Sequence, residues 1–372
     1  MAKTNFAALT TEQKTVWARD VWKVARNASF ITKFTGTSHN AMIHRVTELT
    51  KDERGTRAVI TLVPDLTGDG VTGDHTLENN EEEIQAFDKV IQIDQLRNAN
   101  RTTGRLADQA SIVNFRETSR DVLGYWLADR YDQQAFLTLS GVAYTTANNG
   151  ATRPVLATGQ NLGDLTYADD VTAPSTNRHL RVSGDDLVAG DTTAVTASDT
   201  FGYKHVVNAM AFAKNKYIRP IKSNGGQEMF HFFLCPDGMA KLKLDPDFLS
   251  NVRNAGVRGD ANPLFKGGET FMIDGAYFHT YRHVYNTKGA TGGSKWGSSG
   301  NVDGQRILMC GAQSLAMADI GAPYWDERNH FDYGNQKGIS IGKMAGFAKP
   351  VFHSSIDGTE EDFGVVCIDS AI

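Results

Sequence analysis

Apolar side chains recur at helical spacing in the first thirty residues. Trp17, Val21, Val24, Ala28 and Ile31 share one face, with Lys14, Arg19, Lys23 and Arg26 on the others. Thr10 and Gln13 ahead of them form a capping-box pair. One amphipathic helix cannot bury such a stripe alone, so it must dock on its own chain or on a neighbour. From 43 to 63 the period changes to two, with Ala58, Ile60 and Leu62 opposing Val59, Thr61 and Val63. A polar, Gly- and Asp-rich stretch (PDLTGDGVTGDHTLENNEEE) then reverses the chain, and Ile84, Ala86, Val90, Ile91 and Ile93 resume strand character. The pattern predicts a long β-hairpin with an acidic tip, whose run Glu81, Glu82, Glu83 reads as a solvated or partner-facing edge.

Between Leu106 and Ser140 there is no proline and one glycine, Gly124. Ile112, Phe115, Val122, Leu123, Trp126, Leu127, Tyr131 and Phe136 form a helical stripe. It predicts a spine helix over about 106–140, a rod of about 50 Å. Residues 141–200 are rich in Thr, Ala, Gly, Asp and Asn. They read as a polar insertion, an outward surface feature or a mobile region. Helical spacing returns at Tyr203, Val206, Val207, Met210 and Phe212 and ends before Arg219-Pro220. HFFLC at 231–235 is a buried strand, and Pro236 opens a short helix with Met239, Leu242 and Leu244. Residues 269–285 alternate as two strands around Asp274-Gly275, a hairpin signal. A Gly/Ser loop spans 289–300, and RILMCGAQSLAM from Arg306 reads as a strand followed by a small-residue helix. Further strand runs lie at 339–341, 351–352 and 365–368.

A chain of 372 residues exceeds what one core usually serves, so two or three sub-domains follow. The formal net charge of −5 argues against a nucleic-acid grip, which needs a basic face. It suits a container whose wall does not hold its cargo. Cys235, Cys310 and Cys367 sit in apolar runs without a CxxC pair and read as buried, reduced thiols. The N-terminus lacks the apolar core of a signal peptide, and no stretch approaches a membrane span, so synthesis and folding in the cytoplasm are expected.

Chemistry is sparse. GDGVTG at 68–73 fits G-x-G-x-x-G, but acids follow where a phosphate site needs a helix N-terminus. Asp65, Asp69 and Asp74 match no calcium-loop spacing. His279 and His283 lack the companion Glu of a zinc-protease helix. No nucleophile elbow appears. No catalytic, cofactor or metal residue is assigned, and a structural subunit rather than an enzyme is expected.

Four segments together resemble the major capsid family of N-four-like phages and prophages. They are VPDLTGDGVTGDHTLENNEEEIQAFDKVIQIDQLRNA (63–99), NPLFKGG (262–268), RILMCGAQSLAMA (306–318) and FDYGNQKGISIGKMAGFAKPVF (331–352). Region 141–200 has no counterpart. The resemblance implies an α+β chain with the Hong Kong 97-type capsid fold. Its parts would be an N-terminal arm (1–47), an extended β-hairpin loop (48–95), a peripheral domain with the spine helix (96–220), an axial domain (221–339) and a C-terminal return (340–372). It also implies a subunit that assembles into hexamers and pentamers of an icosahedral shell around packaged double-stranded DNA, without sequence-specific binding and without a membrane. A portal, a scaffold and a decoration protein are the other partners it implies, and the virion is the location. Such shells use heterologous contacts, one patch meeting a different patch on the neighbour. Candidates are the arm residues Trp17, Val21 and Trp22, and the loop residues Asp65, Gly68, Asp69, Gly70, Glu81, Glu82 and Glu83. Gly55, Gly68, Gly70 and Gly73 are candidate pivots. The rivals are a cellular encapsulating shell of the same fold, another phage structural protein, and a metabolic enzyme.

Overall fold

The computed structural model of the chain describes residues 25, 28–46, 55–62, 66, 68–84, 87–110, 114–223, 226–254, 270–354 and 356–372. The strands in chain order are β1 (Thr35–Gly36), β2 (Ile43–Val46), β3 (Arg57–Leu62), β4 (Phe87–Gln92), β5 (Asp94–Arg101), β6 (His179–Ser183), β7 (Asp186–Ala189), β8 (Ile221–Lys222) and β9 (Glu228–Leu234). They continue with β10 (Thr270–Ile273), β11 (Ala276–Thr280), β12 (Gly304–Cys310), β13 (Leu315–Phe331), β14 (Gln336–Ala348), β15 (Val351–Ser354), β16 (Thr359–Asp362) and β17 (Val365–Ala371). The α-helices are α1 (Arg105–Ala110), α2 (Phe115–Ser140), α3 (Tyr203–Asn215), α4 (Pro236–Leu244) and α5 (Pro246–Asn254).

Two sheets carry the fold. The first has the order β1-β2-β13-β14-β5; the second runs β10-β11-β9-β12-β17-β6-β7, with β8 beside β9. Burial on alternate faces shows how they stack. On β12, Leu308 and Cys310 join the core that holds α2, while Ile307 and Met309 join the core beneath α3 and α4. On β13, Leu315 and Met317 face the α2 core, while Ala316 and Ala318 face the β3–β4 hairpin. The order of layers is therefore α3 and α4, second sheet, α2, first sheet, hairpin. Strands covered on both faces lose the apolar–polar alternation that marks a half-exposed strand. That is why residues 312–317 read as helical: Gly311 to Ser314 make a tight turn, with Gln313 at φ 53°, and β13 follows in place of the expected helix.

The spine helix is shorter than the sequence pattern predicts. Asn114 caps α2 by accepting from the Arg116 N–H, so the helix starts at Phe115 and its 26 residues span about 39 Å. At its other end Gly141, at φ 64°, ends the helix against the Thr172 carbonyl, where a Cβ would sit 2.5 Å from the oxygen. Leu123, Leu127, Tyr131 and Phe136 are buried as expected, but Val122 is half exposed. Every residue from Gln134 to Ser140 is buried, because this end lies between the two sheets.

Region 141–200 is not a separate insertion. Tyr144 and Tyr167 pack edge to face at 5.9 Å inside the α2 core. β6 runs parallel to β17 in the second sheet and contributes Leu180 and Val182 to the other core. Its polar residues tie the connecting turns, as where Asn161 and Asp164 cap each other's backbone. The C-terminal part is likewise not a return to one domain: β14 lies in the first sheet and β17 near the middle of the second. The chain passes between sheets at the 311–314 turn, not at 339. The β10–β11 hairpin turns at Asp274-Gly275 as expected, both with positive φ.

Ionic pairs sit where elements cross. Arg306 binds buried Asp369 with both ends of its fork, at 2.7 and 3.0 Å, and donates to the Ser140 carbonyl at 2.9 Å. His179 meets the same carboxylate at 2.6 Å. Burial alone would suppress the Arg306 charge; Asp369 outweighs it and holds the guanidinium protonated. The long β13–β14 ribbon breaks register between Ile320 and Tyr324. There fully buried Lys343 pairs with Asp319 and donates to the Gly321 carbonyl, and Arg45 joins Asp319 at 3.1 Å. Replacing Arg306 with Met leaves Asp369 buried without its main partner and is expected to cost about 3–5 kcal/mol in urea unfolding of unassembled subunits. Adding Asp369→Leu should recover most of that loss; no recovery would show that the pair is not what holds this junction.

Candidate assembly surfaces

Two features mark where the subunit's outlying segments meet its frame. The first is the β3–β4 hairpin. Ala58, Ile60 and Ile91 point inward against Val46, Ala316, Ala318 and Ala348. Val59 and Val90 lie directly opposite each other on the outer face and are 44% and 40% exposed. Beyond the strands the tip carries Leu66, Leu77 and Ile84, each well over half exposed. The expected strand character at Ile84 is absent; pairing begins at Phe87.

Within the tip the Gly68 N–H donates to Glu82 Oε2 at 2.7 Å, joining two of the expected contact residues. Asp69, Gly70, Glu81 and Glu83 are exposed around them. Of the candidate pivot glycines, Gly70 (φ 73°) and Gly73 (φ 64°) adopt the left-handed conformation and Gly68 does not. Asp65 lies outside the described residues. The G-x-G-x-x-G stretch is an exposed turn with no helix behind it in the described residues up to 84, which removes the phosphate-loop geometry. Among the described residues no cluster suited to a metal ion occurs.

The second feature is the exit of the N-terminal segment. Trp17, Val21 and Trp22 lie outside the described residues. Ile31 is buried as its spacing predicts, whereas Ala28 is exposed. Asp132 on α2 is fully buried and gathers this exit. It accepts from the Ser29 hydroxyl at 2.6 Å, the Phe30 N–H at 2.9 Å, the Ile31 N–H at 3.1 Å and the Tyr281 hydroxyl. Phe30 stacks on Tyr281 at 4.3 Å, and Phe34 meets Phe233 edge to face at 5.3 Å. Ile31 and, within HFFLC, Phe233 were read from sequence as buried; Asp132, Ser29, Phe30, Phe34 and Tyr281 were not singled out. The available signal was a carboxylate between Ala128 and Ala135 on the apolar face of a helix, where burial demands partners.

The histidines have structural surroundings. His279 shares a 2.9 Å hydrogen bond with His231, and both touch the Phe34 ring. His283 bonds Asp129 at 2.6 Å, so the two spaced histidines belong to different networks. The three cysteines are free and buried, and burial pushes the Cys235 thiol up to about 11 and that of Cys367 to about 12.

A family model described as phage capsid protein matches residues 5–372. The chain belongs to the phage capsid protein family. The major capsid protein of Pseudomonas phage KPP25 is 56% identical over 367 residues, covering 98% of this chain and 96% of that protein. The capsid of Ralstonia phage GP4 superposes with a TM-score of 0.72 at 26% identity, over 92% of this chain and 91% of that one. The cyanophage Pam1 capsid gives 0.71 at 17% identity, over 92% of both chains, a likeness of fold alone. This capsid protein is thus a structural subunit of a shell built from many copies of one chain, a component of the virion, with the α+β fold of phage capsids. The rival of a cellular encapsulating shell finds no support in these matches.

Burial lowers His231 and His279 to about 4, with His231 and then Lys33 also acting on His279. An unfolded histidine titrates near 6.5, so between about 6.5 and 4 the unfolded chain binds more protons than the folded one. The contribution of the pair is therefore complete above pH 6.5 and lost as pH falls toward 4. Urea midpoints of unassembled subunits should drop over that window, and His231→Phe should flatten the drop. An unchanged slope in the variant would mean that the pair stays neutral for another reason or does not titrate.

Proposed function

We propose that this capsid protein forms hexamers and pentamers of an icosahedral shell that encloses double-stranded DNA, and that it catalyses no reaction. The observation that carries the reading is the hairpin. One face is part of the subunit's core, while the opposite face exposes Val59 and Val90 and the acidic tip exposes Leu66, Leu77 and Ile84. An element anchored on one side and unfinished on the other suits a contact completed by a neighbour. In this reading the residues before β1 act as an arm, hinged where Asp132 holds residues 29–31, and the β3–β4 hairpin acts as the extended loop. The first sheet with α2 serves as the peripheral part, and the second sheet with α3 to α5 as the axial part. Assembly takes place in the host cytoplasm, with a portal, a scaffold and a decoration protein as further partners.

The net charge of −5 leaves the subunit without the basic balance of a nucleic-acid grip. Copies then hold together through many weak contacts, each reversible during assembly and collectively strong after closure. Size-exclusion chromatography and electron microscopy of the purified chain test this. Closed particles, tubes or capsomers are expected. A monomer that never assembles, even with crowding agents, would overturn the reading.

A further inference from the structure

The segment leading into β1 is fastened by Asp132 at residues 29–31, by the stack of Phe30 on Tyr281, and by Phe34. Phe34 ends the single turn Ile31–Phe34 and is half-buried. Its ring meets His231 and His279 edge to face, both at 5.1 Å, and Phe233 at 5.3 Å. The two imidazoles stand on neighbouring strands, β9 and β11. They share the 2.9 Å hydrogen bond between His231 Nδ1 and His279 Nε2. His279 is 8% exposed.

A hydrogen bond between two neutral imidazoles uses one N–H and one lone pair. A further proton on the accepting nitrogen sets two N–H groups against each other. On the remaining nitrogen of the donor ring it creates a cation in a buried site. Burial first, and then His231 and Lys33, oppose charge on His279; burial opposes it on His231. Lys33 belongs to the same turn as Phe34 and is exposed. From the other elements, Tyr277 on β11 lies 5.8 Å from His231 ring to ring, and Cys310 on β12 stands opposite His231 in the strand register. Tyr281, just after β11, gives its hydroxyl to Asp132 on α2. Water cannot reach the imidazoles by parting the strands, because β9 is bonded to β11 on one side and to β12 on the other. The turn carrying Phe34 is the weaker wall: it is four residues long and runs into the two-residue strand β1.

We propose that His231, His279 and Phe34 form an acid-released latch, in which neutral histidines hold the N-terminal segment against the second sheet and their protonation frees residues 28–34 while the sheets stay folded. The inference goes beyond the shell reading and does not need it, since every group in the latch belongs to one subunit. The sign follows from linkage. A histidine that moves from about 4 in the closed form to the ordinary 6.5 in the open one favours opening by up to about thirtyfold at pH 5. The latch is at full strength above pH 6.5 and weakens as pH falls toward 4.

Hydrogen exchange of the full-length chain, corrected for the effect of pH on intrinsic rates, tests it. Between pH 7.5 and pH 5 the amides of residues 29–36 should lose protection about tenfold or more, while those of α2 and β12 keep theirs. His231→Gln with His279→Gln leaves a hydrogen-bonding pair that takes no proton, and should keep the segment closed at pH 5. His231→Phe, a smaller change that leaves one titrating ring, should reduce the loss severalfold. Unchanged protection in the wild type, or loss spread evenly over α2 and β12, would overturn the latch. So would full acid opening in both variants, which would assign the response to Asp132 instead.

Discussion

The last two turns of α2 have no solvent face. Everything else in the subunit is arranged by that constraint. A helix end buried all round needs a packed layer on each side, and here the layers are two sheets. Its orphan carbonyls also need donors, and one of them, that of Ser140, is met by Arg306. A guanidinium there is tolerable only because Asp369 and the neighbouring strands neutralise it. The pair therefore links helix end, β12 and β17 at one point, and through His179 it reaches β6 as well. This is also why the polar 141–200 region is woven inward: the chain must leave the buried helix end and supply β6 before it can emerge.

The surfaces proposed to meet neighbours hang from this frame by narrower attachments. The N-terminal exit is held by one carboxylate and a few rings. The hairpin is held by one face of two short strands. Local stability follows buried contacts, so such elements can move while the frame does not. A shell whose subunits must join, adjust and lock needs this division of labour. Strengthening the attachment would stabilise the subunit and restrict its choice of geometry. Weakening it would leave the tip without register.

Much of this was legible in the sequence, because it depends on short-range rules. Asp274-Gly275 announced a hairpin through its turn chemistry, and Ala58, Ile60 and Ile91 announced a one-sided strand pair through their period. The acidic loop was visible in composition. The errors have two causes. Where both faces of a strand are covered, as along Leu315 to Ala318, periodicity vanishes and small residues look helical. Where a segment buries few but large side chains, as with Tyr144 and Tyr167, average composition hides its role. The start of α2 could have been found from Asn114 and Glu117, whose spacing is that of a helix cap and its third residue. The partnership of Asp132 with residues 29–31 could not, since about a hundred positions separate them and only the fold brings them together.

Charge distribution ties the subunit to its assembly. The whole chain is mildly acidic, yet the loop between Ala58 and Asp88 holds eight acids and no base, so the remainder is net positive. Concentrating negative charge in one protruding element has a cost in an isolated subunit, since like charges at the tip repel one another. It has a use only when something of opposite sign stands where the tip arrives. Because the same tip recurs on every copy, tip-to-tip encounters are disfavoured, and tip-to-body encounters remain. A head-to-tail contact makes rings where its rotation closes and filaments where it does not, never a two-fold pair. In the shell proposed above, the sign of the loop thus works against a two-fold contact between tips.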